Sequence, residues 1–88
     1  MSELKNTKSI ELVQEETDVE EILQSVYQAL QTKGYDPVSQ IVGYIMSGDP
    51  TYITSYANAR YRISQVERDD ILEVLLKTYI KEVLDRKA

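Results

Sequence analysis

The chain has neither histidine nor cysteine. That excludes imidazole acid–base catalysis, thiolate chemistry, disulfides and most zinc sites at the outset. What is left for chemistry is carboxylate, phenol, hydroxyl and cationic groups. Carboxylates crowd at Glu15, Glu16, Asp18, Glu20 and Glu21, and again at Glu67, Asp69 and Asp70. Such clusters could hold magnesium or work as an acid–base pair. They also sit where apolar residues begin to recur at helical spacing, and a helix favours acids in its first turn. The helical reading accounts for both clusters without a ligand. Tyr52, Tyr56 and Tyr61, with Arg60 and Arg62 among them, could stack on single-stranded nucleic acid across residues 52–62. Tyrosines at that spacing are more often half-buried core, and after that a protein-contact surface, while the acidic remainder of the chain opposes nucleic-acid binding. Three hydroxyls, Ser2, Thr7 and Ser9, lie beside Lys5 and Lys8 near the N-terminus.

A recurrent punctuation must position these groups. Gly34-Tyr35-Asp36-Pro37 and Gly48-Asp49-Pro50 bracket one short apolar segment. Glycine can take the left-handed conformation that closes a helix. Aspartate can then cap the next helix, and proline suits its first position because it has no N–H to lose. A helix N-terminus also attracts phosphate. Aspartate at the cap repels that ligand, however, and no G-x-G-x-x-G or Walker pattern accompanies either bracket. Gly34, Asp36, Pro37, Gly48, Asp49 and Pro50 are therefore read as structural turns.

Read in order from these brackets, the chain is helical throughout its folded part. Residues 1–16 show no sustained period and are expected to be a flexible tail. Thr17 with Glu20 fits a capping box, and Val19, Ile22, Leu23, Val26 and Leu30 form one stripe of an amphipathic helix that stops at Gly34. The second helix, 37–47, is apolar over a wider arc and is expected to be the buried centre, with Gly43 leaving room for a close neighbour. A third helix opens at Asp49-Pro50, breaks near Thr54 and resumes over 55–64. The last, over 67–86, has apolar residues from Ile71 to Leu84 on more of its surface than one small bundle covers. The fold class is all-α: a compact bundle of four to five short helices, one domain over 17–88. The surplus stripe predicts a homodimer.

Bulk properties agree with a small soluble protein. Eighty-eight residues make one domain with a modest core. The net charge is −5, and residues 1–32 carry seven acids against two lysines, a balance that opposes the counterion release nucleic-acid binding needs. The N-terminus lacks a basic stretch followed by an apolar one, so no signal peptide is expected, and no apolar run is long enough to cross a bilayer. A cytoplasmic location is expected.

From Lys33 onward the pattern K-G-Y-D-P-V-x-Q-I-V-G-Y-I-x-S-G-D-P-x-Y-I, followed by N-x-A-R and E-R-D-D-I-x-E-x-L, resembles the IreB/ReoM family of small regulatory phosphoproteins of Gram-positive bacteria. The resemblance covers residues 19–81. It implies an all-helical homodimer with no cofactor and no catalytic activity. It also implies phosphorylation on a tail threonine by a membrane-anchored Ser/Thr kinase, with a phosphatase opposing it. The output it implies is control of peptidoglycan synthesis and envelope stress tolerance, in part through Clp-dependent turnover of the enzyme that begins precursor synthesis. Thr7 holds the phosphoacceptor place, with Ser9 the runner-up; Lys5-Asn6 precede it where relatives carry acids, and Ile10 stands where phenylalanine is usual. Arg60 and Arg68 match basic positions of the family and are the expected partner-binding residues, on an exposed patch. Ser55 and Ser64 stand where relatives often carry basic residues. The expected partners are a second copy, the kinase and its phosphatase, and a protein of the cell-wall synthesis or proteolysis machinery. The alternative is a nucleic-acid-binding module built on segment 52–62.

Overall fold

A computed structural model describes residues 18–87. Helix α1 spans 18–32, and α2 spans Pro37–Ser47. A 3₁₀ turn, Pro50–Tyr52, follows. A second one, Tyr56–Asn58, runs into the short α3, Ala59–Ile63. The chain then enters α4, Arg68–Tyr79, which continues through a π turn, Ile80–Leu84, into α5, Asp85–Lys87. No strand occurs among the described residues. The protein is all-α.

Both brackets act on the backbone as chain punctuation. Gly34 has φ +83°. Its N–H donates to the Gln31 carbonyl at 3.0 Å, and that of Tyr35 donates to the Leu30 carbonyl at 2.9 Å. This pair of bonds is a Schellman motif, which satisfies carbonyls the end of α1 would otherwise leave bare. Gly48 has φ +74°, and its N–H donates to the Tyr44 carbonyl at 2.7 Å, the single-bond version of the same closure. Asp36 and Asp49 stand in extended backbone before Pro37 and Pro50. Their Oδ1 atoms accept from the N–H groups of Val38 at 3.3 Å and Thr51 at 3.0 Å.

Three expectations are corrected. The buried centre is α1 rather than α2. Val19, Val26, Ala29 and Leu30 are all buried, whereas Tyr44 is the one buried residue of α2. The apolar arc of α2 is wider than its neighbours can cover, so Ile41 and Ile45 pack inward while Val38, Val42 and Met46 face out. Second, the third helix is mostly two 3₁₀ turns joined through extended backbone at Ile53. Ala57 and Asn58 take left-handed φ of 53° and 65°, which no continuous helix tolerates. Third, the last helix carries a π turn near its end. The remaining core is Ile53, Ala59, Ile63 and Ile71, so α1 is roofed by the irregular segment and the start of α4.

Candidate functional site

Arg60 and Arg68 each reach a backbone carbonyl that flanks the second bracket in the chain. Arg68, at the start of α4, sends its guanidinium across to the C-terminal end of α2, where Nη1 donates to the Ile45 carbonyl at 2.9 Å. The last turn of α2 contains no basic residue, so Arg68 supplies from outside the positive charge that end of a helix favours. Its guanidinium also lies where a side chain on Gly48 would have to go. Arg60 reaches the other side of the bracket, donating from Nε to the Ile53 carbonyl at 2.8 Å. It is half-buried rather than exposed, because the extended Ile53 has no helical donor for its carbonyl. The turn at residues 64–67 puts the two arginines on different helices. The bracket joins them instead: one holds its front, the other its back.

Asp49 sits between these supports. Its Oδ1 accepts both the Thr51 hydroxyl at 2.7 Å and the Thr51 N–H. Those bonds, aided by the charge of Arg60, hold its carboxyl below the usual aspartate pKa, against a small opposing cost of desolvation. Beneath it, Ser47 Oγ donates to the Gly43 carbonyl at 2.7 Å and accepts from the Asp49 N–H at 3.0 Å. Gly43 gives the close approach its sequence position suggested. The Tyr52 ring lies against it so tightly that a Cβ would overlap the ring. Gln40 Nε2 donates to the Tyr52 carbonyl at 2.8 Å and locks the turn to α2.

This packing decides what the tyrosines can do. Tyr52 faces Gly43. The Tyr56 ring takes the Lys33 ammonium at 5.2 Å from its centroid, a cation–π contact that ties the irregular segment to the end of α1. Tyr61 is exposed and lines a shallow cavity of about 320 Å³ together with Pro50, Ser55, Asn58, Arg60 and Ser64. Two of the three rings thus already have intramolecular partners. Among the described residues no group of acids is arranged to hold a metal, and no helix is long and apolar enough to cross a membrane.

Much of the surface of α2 and α4 is apolar and exposed. Leu72, Leu76, Ile80 and Leu84 form a row at every fourth residue, all exposed. Val38, Val42 and Met46 form a second row on α2, with Met46 78% exposed. The π turn explains why Leu84 stays in register with Leu72. Its i→i+5 bonds advance the chain by less than the roughly 100° per residue of an α-helix, which offsets the drift of a four-residue repeat. Composition flagged the surplus apolar surface, but the π turn that aligns it left no sequence signal. Ile53, fully buried in a link between two turns, was likewise missed, because it belongs to no periodic pattern. Thr7, Ser9 and Thr17 lie outside the described residues.

A short all-α domain with punctuated helices and exposed apolar rows presents the kind of surface by which small proteins bind others. The chain belongs to the IreB family, described as IreB regulatory phosphoprotein, whose model matches residues 5–81. It is similar to proteins named UPF0297. One from Lachnoclostridium phytofermentans is 53% identical over 88 residues, covering 99% of this chain and 100% of that protein. One from Ruminiclostridium cellulolyticum is 56% identical over 68 residues, 77% of each chain. A third, from Acetivibrio thermocellus, is 52% identical over 71 residues, 81% of this chain and 79% of its own.

Proposed function

We propose that this protein is a non-enzymatic regulator, switched by phosphorylation of its N-terminal tail at Thr7, with Ser9 as the second acceptor. A membrane-anchored Ser/Thr kinase adds the phosphate and a phosphatase removes it. The regulator works in the cytoplasm of a Gram-positive cell as a homodimer. It controls peptidoglycan synthesis and envelope stress tolerance, in part through Clp-dependent turnover of the first precursor-synthesis enzyme. Residues 1–16 act as the switch, and the domain over 17–88 is what partners read.

The observation that carries this reading is the extent of the family match, which begins at residue 5 and so includes Thr7 and Ser9 along with the helical domain. A phosphate adds nearly two negative charges and three strong acceptors to a segment whose nearest charges are Lys5 and Lys8. The exposed row Leu72, Leu76, Ile80 and Leu84 supports self-association, since contiguous apolar surface on a small protein marks an interaction site. Arg60 and Arg68, which brace the second bracket, are assigned to the partner-binding face beside the cavity at Tyr61.

The test is phosphorylation by the cell's own membrane Ser/Thr kinase, with the modified residue mapped by mass spectrometry. One phosphate on Thr7, lost in Thr7→Ala and kept in Ser9→Ala, is the expected result. Unchanged stoichiometry in Thr7→Ala moves the assignment to Ser9. No phosphate on either residue overturns the switch.

A further inference from the structure

Between α1 and α4 lies an open groove of about 540 Å³ that the core leaves unfilled. Leu23, Val74, Leu75 and Val83 form its apolar floor, and Glu20 and Glu82 are the carboxylates among the described residues that line it, beside the Tyr79 phenol. Arg86 pairs with Glu82 at 3.4 Å, both side chains being largely exposed. The groove is separate from the row Leu72, Leu76, Ile80 and Leu84. Its α4 residues form neighbouring rows, Val74 with Thr78 and Glu82, and Leu75 with Tyr79 and Val83.

We infer that this groove receives the chain's own N-terminal segment, residues 5–13, and that a phosphate on that segment releases it. Three features of the chain favour this occupant. The first is reach. Glu20, in the first turn of α1, already lines the groove, and the five residues from Val13 to Asp18 span up to about 17 Å when extended. The second is composition. Ile10, Leu12 and Val13 are the apolar cluster of a segment that otherwise has little use for one, and they suit a floor of leucine and valine. The third is charge. Residues 5–13 carry Lys5 and Lys8 against the single acid Glu11, a net charge of +1 with both lysines ahead of the apolar cluster, complementary to a groove whose lining includes Glu20 and Glu82. A phosphate of nearly two negative charges between those lysines cancels their charge and faces two carboxylates, so it opposes docking. Ordering a tail against an open groove costs much of what the contact returns, so the closed state is shallow enough for one phosphate to reverse it. The release step rests on the phosphoprotein reading above; the docking step does not.

The absence of cysteine makes a site-specific probe simple. A nitroxide on Ser9→Cys, with the chain isotopically labelled, should broaden the NMR signals of Leu23, Val74 and Val83 methyls while leaving Val38 and Val42 sharp. Replacing Ile10, Leu12 and Val13 together by serine touches no residue of the helical core and should abolish the broadening. Thr7→Glu should weaken it severalfold. Broadening confined to residues next to the label, or unaffected by the serine variant, overturns docking. Broadening that appears only between a labelled chain and a separate spin-labelled chain also overturns it, because the segment then sits on another copy. Docking that persists unchanged in Thr7→Glu and in kinase-phosphorylated protein overturns the release step alone. Failure of the kinase to modify the tail would instead refute the proposed function, with the docking result standing.

Discussion

At the scale of single residues, a few small groups decide the geometry of the two brackets, and each can be tested alone. Gly43 sits inside α2, where alanine would ordinarily gain about 1 kcal/mol of helix propensity. Here a Cβ would overlap the Tyr52 ring, and overpacking of that kind costs about 1–3 kcal/mol. The clash wins, so Gly43→Ala should lower the melting temperature. In a Tyr52→Ala background the same change should become neutral or stabilising, and a thermal double-mutant cycle reads the difference. Gly34 and Gly48 share a left-handed backbone but differ in surroundings. A Cβ at Gly34 meets nothing within 4 Å, whereas at Gly48 it meets the Arg68 guanidinium. Gly34→Ala should cost on the order of 1 kcal/mol, and Gly48→Ala measurably more, by denaturant titration. Asp49 is the third. Its carboxyl is held low first by the Thr51 side chain. A depressed native pKa contributes stability above the unfolded value and loses it as pH falls through the native one. Thr51→Val should therefore move the Asp49 titration upward, toward the ordinary aspartate value, in a carboxyl-carbon NMR titration.

At the scale of elements, helix ends matter more than helix middles. α2 is short, its closure uses one backbone bond, and its last turn has no cation of its own. Arg68 completes that end from α4, and Arg60 does the corresponding service for the extended Ile53. An exposed arginine would be replaceable at little cost, but one that satisfies a carbonyl is not. Arg60→Met should cost about 1–3 kcal/mol, the penalty for leaving a shielded polar group unpaired. Arg68→Met should cost less, because its partner carbonyl stays nearer solvent. Chemical denaturation of the two variants checks the order. Any assay of these arginines in partner binding must therefore be normalised to folded protein. The irregular segment between them also stores strain: Ala57 holds a left-handed backbone without glycine's freedom.

At the scale of the whole molecule, a small core is roofed on one side and bare on the other. The buried set draws on α1, Tyr44, Ile53, α3 and the first turns of α4, and leaves the far end of α4 projecting with its apolar rows uncovered. Burying apolar surface is worth roughly 25 cal/mol per Å², so a second copy laid on the row from Leu72 to Leu84 would add appreciably to a core this modest. Leu76→Asp and Ile80→Asp should each convert the species seen by light scattering at tens of micromolar to a monomer. Circular dichroism should stay helical, because neither side chain touches the core. A monomer in the wild-type chain would refute the association outright.

The sequence by itself determined the elements that local chemistry dictates. The two brackets, the span of α2 and the one-sided stripe of α1 were legible because caps, left-handed glycines and a 3.6-residue period act within a few residues of one another. The family was legible too, since the spacing of those brackets is distinctive. What only the tertiary structure decided depends on groups far apart in the chain. Whether α1 or α2 is central turns on which apolar arc its neighbours can cover, not on which is wider. Arg60 and Arg68 become struts because carbonyls 7 and 23 residues away lack other donors. Ile53 is core although it lies in no helix, because the fold brings its extended link into the cluster of buried residues. The rows on α4 stay aligned because a single turn widens, an adjustment that depends on helix packing as well as residue type.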